Sequence, residues 1–359
     1  MKLSSLSMLK PTLAIAATAL CLSYPATADE PKPDPPAAAP NSTPIVAPAT
    51  APVAPINPRV AVIERITQAA LQAMAQSNDP VALVLSAKYV RDAGLKAGEE
   101  RTDAQKLDLQ SAALAKAKKL STPQNSGFEN FQIAMFCIGF PDKPVCGDRD
   151  PVQAFAESAP DNAIGWLAIA GRDYGRGLNT IAQASLEKAA KAKTLVWFYK
   201  EGAAVALRYA KAAKDPDTKA GDAEAAAFEL LGGMTLPAYN RFSQMCRPDP
   251  EGKLPEGRYP LCRKVAQLLI AQGETNVELL VGYRVLERLA AGEKKTDEAK
   301  VAADSHSAIQ AAIEQLWKLS LKFPPQSAAD GAALTHYFDD LVKQGEVSAT
   351  RLAIKRNGK

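Results

Sequence analysis

The chain has 359 residues, 47% of them hydrophobic and 23% charged, which is enough apolar material to bury a substantial core. Its formal charge of +4 would fall to +2 if Lys2 and Lys10 left with a signal peptide. That near balance of charge excludes binding to nucleic acid through a broad basic surface.

The first 28 residues have the three parts of a secretory signal. Lys2 and Lys10 form a basic start, an apolar run extends from Thr12 to Tyr24, and Ala26-Thr27-Ala28 offers the small-x-small pattern for cleavage before Asp29. The run is too short to cross about 30 Å of hydrocarbon, which needs roughly 20 residues. No later stretch reaches that length, so no transmembrane segment is expected. Cys21 follows Leu20 rather than a small residue, which argues against lipid attachment there. A periplasmic or secreted protein is expected. Residues 29–58 are dominated by Pro and Ala, as in Ala51-Pro52-Val53-Ala54-Pro55, and such a composition reads as a disordered linker.

From residue 59 to 359 the pattern is helical throughout. Val60, Ile63, Ile66, Ala70, Leu71 and Met74 recur at helical spacing, and Asn78-Asp79-Pro80 resets the chain. Asp79 before Pro80 makes an N-cap and first-turn pair, because proline loses nothing where the amide has no intrahelical partner. A helix from Val81 toward Gly94 follows. Asp150-Pro151 repeats the device ahead of Val152, Phe155 and Ala156. Further helices are expected over 223–231, 237–245, 261–272, 276–290, 301–321 and 328–343, with Gly273, Gly292 and Pro324-Pro325 as breaks. Lys355-Arg356-Asn357-Gly358-Lys359 reads as a frayed, solvated end.

Between Asp161 and Lys193, Trp166 and Ile169 fall on one segment, Gly177 in a turn, and Ala182, Leu186 and Ala189 on the next. This stretch resembles a tetratricopeptide unit, the helix–turn–helix repeat of about 34 residues. Asp173 and Thr194 stand where that family carries an aromatic and a proline. The resemblance implies stacked helical hairpins in an α-solenoid; an irregular helical bundle is the alternative. Small residues such as Ala182 and Ala189 would let the two helices approach closely.

Four cysteines remain beyond the signal: Cys137, Cys146, Cys246 and Cys262. An even number in an exported chain points to disulfides, and pairing Cys137 with Cys146 and Cys246 with Cys262 is favoured because each pair brackets a proline-rich turn. The long spacings and absence of Cys-x-x-Cys argue against a metal site. No metal, cofactor or catalytic motif is expected. His306 reads as solvated between two serines, and His336, before Tyr337-Phe338, as packed in the core or at its boundary.

Three functional classes remain: a non-enzymatic protein-interaction module of the cell envelope, a glycan-directed hydrolase using carboxylates, and a purely structural bundle. Glu157, Glu201, Glu229, Glu278 and Glu287 are the carboxylates on which a hydrolase could draw. For the interaction module, Trp197-Phe198-Tyr199 is read as three successive helical residues pointing about 100° apart, so that Tyr199 faces a concave surface. Arg172 and Arg176, four residues apart, would line the same surface and meet a protein or peptide partner.

Overall fold

The computed structural model describes residues 58–90, 100–122, 127–147, 150–232, 234–237 and 239–357. The proposed signal and nearly all of the Pro/Ala segment lie outside them. Among the described residues the chain is all-α, with fifteen α-helices and no strand. In chain order they are α1 Pro58–Gln76, α2 Pro80–Ala87, α3 Asp103–Leu120, α4 Gly127–Gly139, α5 Pro151–Ser158, α6 Ala163–Gly175, α7 Asn179–Lys191 and α8 Tyr199–Ala212. Then come α9 Asp222–Leu231, α10 Tyr239–Met245, α11 Arg258–Gln272, α12 Asn276–Gly292, α13 Thr296–Gln315, α14 Ala328–Gln344 and α15 Glu346–Asn357. None of these helices is long and apolar enough to cross a membrane.

The caps form where the sequence places them. The Asp79 carboxylate accepts from the amides of Val81 and Ala82 at 3.0 and 3.2 Å, and Asp150 accepts from Val152 at 3.0 Å. Each satisfies amides that the first turn leaves without partners. Helix α3 arises from a reciprocal cap: Thr102 and Gln105 exchange hydrogen bonds at 2.9 and 3.3 Å. It buries only Ser111, Leu114 and Ala117, too thin a stripe to register as apolar periodicity.

The helices enclose two hydrophobic clusters. One is built from α1, α2, α3, α8, α9, α14 and α15, the other from α5, α6, α7, α10, α11 and α12. Helix α4 belongs to both, giving Phe128, Ile133 and Phe136 to the first and Phe131, Ala134 and Met135 to the second. Sequential hairpins are present, as α6 against α7 and α12 against both α11 and α13. The chain also closes on itself: α1 packs on α8 and α9, and α14 packs on the same two helices. An ideal solenoid has only neighbour contacts, so these closures give the array a bundle-like character. Arg59 seals one of them, donating to the buried Asp222 carboxylate at 2.6 and 2.9 Å.

The α6/α7 hairpin has the small-residue seam its sequence suggests. Ala170, Ala182, Leu186 and Ala189 are fully buried, Trp166 is 5% exposed, and Gly177 takes a positive φ of 76° in the turn. The hairpin is pinned at its open end. Asn162 caps α6 and clamps the exit of α7, accepting from Val196 N at 3.1 Å and donating to Val196 O at 2.7 Å. Ala163 N donates to Thr194 O at 2.8 Å across the same junction.

Three expectations are corrected. Trp197-Phe198-Tyr199 is not a helical run: Asn162 hydrogen-bonds the Val196 backbone outside any helix, Phe198 takes φ 67° as the N-cap, and only Tyr199 enters α8. The basic C-terminus is not frayed through Asn357, because α15 includes Lys355 and Arg356, and Arg356 donates to Asp340 at 2.5 Å. The histidines exchange roles: His306 is 7% exposed in the middle of α13, whereas His336 is exposed on α14.

Candidate ligand groove

Both cysteine pairs are joined. Cys137–Cys146 clips the end of α4 to a single 3-10 turn, and Cys246–Cys262 clips the end of α10 to the first turns of α11, each with Cα atoms 5.7 Å apart. Such bridges belong to an oxidising compartment. The second one shapes the loop 247–257, which folds back through its own backbone: Asp249 accepts from the amides of Glu251 and Lys253 at 3.0 and 2.7 Å.

This clipped loop stands opposite the outer face of the α6/α7 hairpin, and between them lies an open groove of about 890 Å³. Tyr174, Asn179, Thr180, Gln183, Ala184 and Glu187 form the hairpin wall. Gln244, Arg247, Asp249, Lys253 and Arg258 come from the other side. Gln183 bridges the two walls, donating to Glu256 O at 3.1 Å and accepting from Arg258 Nη2 at 3.3 Å.

Arg258 stands apart from the other groove cations. It is 4% exposed, and its Nε has no hydrogen-bond partner. Among the described residues no carboxylate pairs with it; its one side-chain hydrogen bond is to the neutral Gln183, and Tyr174 is its other polar neighbour. Burial lowers its pKa from the usual guanidinium value. Buried charges are ordinarily paired, because taking an ion out of water without compensation is costly. The sequence carried no sign of this: the residue follows Gly257 at the start of α11, and its burial comes from the tertiary packing of loop and hairpin.

The residues expected to meet a partner do not share this groove. Arg172 donates from Nε to Asp173 at 2.8 Å and from Nη1 to Asp150. Against the opposing effect of burial, the bond from Arg172 keeps Asp150 below the usual carboxylate range. Arg172 thus ties the end of α6 to the cap of α5. Arg176 is exposed at the hairpin turn, outside the groove lining. Tyr199 lies in the seam between the two clusters. Its ring stacks on Trp197 with centroids 5.2 Å apart, and its amide donates to Glu274 at 3.1 Å. Burial, then the nearby Glu346, pushes its hydroxyl well above the ordinary phenol value.

The five candidate carboxylates are dispersed, and none lines the groove. Glu157 is exposed and accepts from Gln153. Glu287 accepts from Arg284 at 2.8 Å, and Glu229 from Thr67 at 3.0 Å. Burial, aided by Glu129, Asp79 and Glu274, pushes Glu201 up to about 7. Burial also pushes Glu278 up to about 7; it accepts from the Tyr239 hydroxyl at 2.5 Å and the Thr275 amide at 2.8 Å. In comparisons with known proteins, the chain matches no family model, no curated protein and no solved structure.

Proposed function

We propose that this chain is a non-enzymatic binding module of the cell envelope, periplasmic or secreted, that holds a protein or peptide segment in the groove between the α6/α7 hairpin and the Cys246–Cys262 loop. The observation that carries this is the groove itself: about 890 Å³, open to solvent, and lined from two walls by polar and charged side chains together with Ala184, Met245, Leu254 and Pro255. That volume is in the range of ligand-binding clefts. The two disulfides support the extracytoplasmic compartment. The hairpin that forms one wall is the tetratricopeptide-like stretch, and helical repeats of that kind bind extended segments without catalytic residues.

Site-directed photocrosslinking in intact cells tests the proposal. A photoreactive residue at Thr180, inside the groove, should trap a discrete partner, while one at the exposed Lys300 should not. Ala184→Trp, which places an indole in the groove from an exposed position, should abolish the Thr180 crosslink without changing the fold. Equal crosslinking from Thr180 and Lys300, or full retention in Ala184→Trp, would remove the groove from consideration.

A further inference from the structure

We infer that the groove recognises a carboxylate of a peptide, seated on the buried guanidinium of Arg258 with Arg247 as the second cation. The inference rests on the binding-module proposal and names the chemistry of its ligand. Arg258 is nine-tenths buried yet lines the groove, and among the described residues its guanidinium has no anionic partner. A bound carboxylate supplies the missing countercharge and matches the planar fork of a guanidinium with two parallel bonds. The site is at the first turn of α11, a fifteen-residue helix whose dipole also favours an anion there.

The other charges in the groove favour an anion of single charge. Lys253 is committed to Glu251 at 2.7 Å, and the Asp249 carboxylate is occupied by loop amides. Arg247 is exposed and forms no ion pair among the described residues, while Glu187 remains on the opposite wall. Arg247, Lys253 and Arg258 against Glu187 and Asp249 leave the lining one positive charge in excess, which suits a monoanionic carboxylate better than a dianionic phosphate. The disulfide sets the spacing of the two cations. Arg247 directly follows Cys246, and Arg258 lies one helical turn before Cys262. The groove is also larger than a simple organic acid requires, which favours a carboxylate carried on a peptide.

Fluorescence anisotropy with the oxidised, full-length mature chain tests this with three labelled probes. They are an amidated Ala-Glu-Ala-Glu-Ala peptide, its Gln counterpart, and penta-alanine with a free C-terminal carboxylate. The Glu peptide, the free-ended peptide or both should bind, which distinguishes a side-chain carboxylate from a chain end, and the Gln peptide should bind at least tenfold more weakly. Arg258→Gln should lose tenfold or more of the affinity, Arg258→Lys less, and Arg247→Gln a few-fold. Reduction of Cys246–Cys262 should weaken binding as well. Arg258→Met, with thermal unfolding as its readout, guards against a folding artefact; it should melt no lower than the wild type, since it removes an uncompensated buried charge. Binding of the Gln peptide as tight as that of the tightest carboxylate probe, no binding of any probe, wild-type affinity in Arg258→Gln, or binding of inorganic phosphate in place of the peptides would overturn the inference. A partner trapped from Thr180 that persists in Arg258→Gln would leave the binding module standing and remove only the carboxylate.

Discussion

Glu278 offers a measurement of how the interior of α12 is wired. The side chain is fully buried, and its carboxylate accepts from Tyr239 at 2.5 Å and from the Thr275 amide at 2.8 Å. Burial still wins over these bonds and moves the group from 4.5 to about 7. In the unfolded chain the carboxyl ionises near its ordinary value of about 4.3. Between these two values the folded state holds a proton that the unfolded state has released. Stability from this group is therefore full below the unfolded pKa, falls as pH rises toward 7, and is flat above. With about 1.4 kcal/mol per pKa unit, the loss between pH 5 and pH 8 is about 2.5 kcal/mol. Glu278→Gln mimics the protonated acid and removes that dependence, at a cost of about 1 kcal/mol for one poorer hydrogen bond. By pH 5 the wild type has already lost about 1 kcal/mol to this group, so the variant should match it there and be more stable by about 2.5 kcal/mol at pH 8. Urea unfolding followed by circular dichroism at both pH values reads the difference directly. The same stability difference between variant and wild type at pH 5 and pH 8 would show that Glu278 is ionised in the folded protein, and the reasoning from burial would fail.

Other outcomes follow from the packing. Tyr199→Ala should cost about 2 kcal/mol or more, because the ring stacks on Trp197 in the seam; an unchanged melting temperature would return Tyr199 to the surface. Glu129 is fully buried with no well-formed hydrogen bond to either oxygen, and burial raises its pKa against a weaker contact with Ser121, so Glu129→Met should raise stability by about 1–3 kcal/mol, measured by the same urea titration. Gly331→Ala should lower it by about 1–3 kcal/mol, since a Cβ there would meet Ala220 O at 2.0 Å. Non-reducing peptide mapping should find no free thiol at the four cysteines. Opening the bridges, which span 9 and 16 residues, should cost roughly 2.5 and 3 kcal/mol on the chain-entropy estimate.

What could be read from sequence was local. Asp79-Pro80, Asp150-Pro151, Gly177 and the Ala182/Leu186/Ala189 seam each act through neighbours within one or two turns, so residue order alone announced them. The same holds for the cysteine pairs, whose partners bracket short turns. Where tertiary contacts decide, the pattern was silent or misleading. The Trp197-Phe198-Tyr199 run looks helical until Asn162, some 34 residues away, fixes the backbone of Val196. His306 sits between serines yet is buried, its pKa lowered by burial and then by Arg284 from α12. Helix α3 lacks a wide apolar stripe because the helices around it leave it only three buried positions. Arg258 is the extreme case: nothing within one turn of it along the chain marks it, and the groove that gives it meaning is made by segments about 75 residues apart.

The closure of α1 onto α8 and α9 carries a consequence for synthesis. Arg59 and its partner Asp222 are separated by 163 positions, so at translation rates of about 5–20 residues per second the first helix leaves the ribosome roughly 8–30 s before its docking site exists. During that interval Ile63, Ile66 and Met74 have only α2 to pack on. The earliest stable structure comes from pairs made close together in time, such as α6 with α7, and α1 completes its packing late. A nascent chain caught between those moments is a natural client for a holding chaperone, and the same delay keeps it open to transport before it locks.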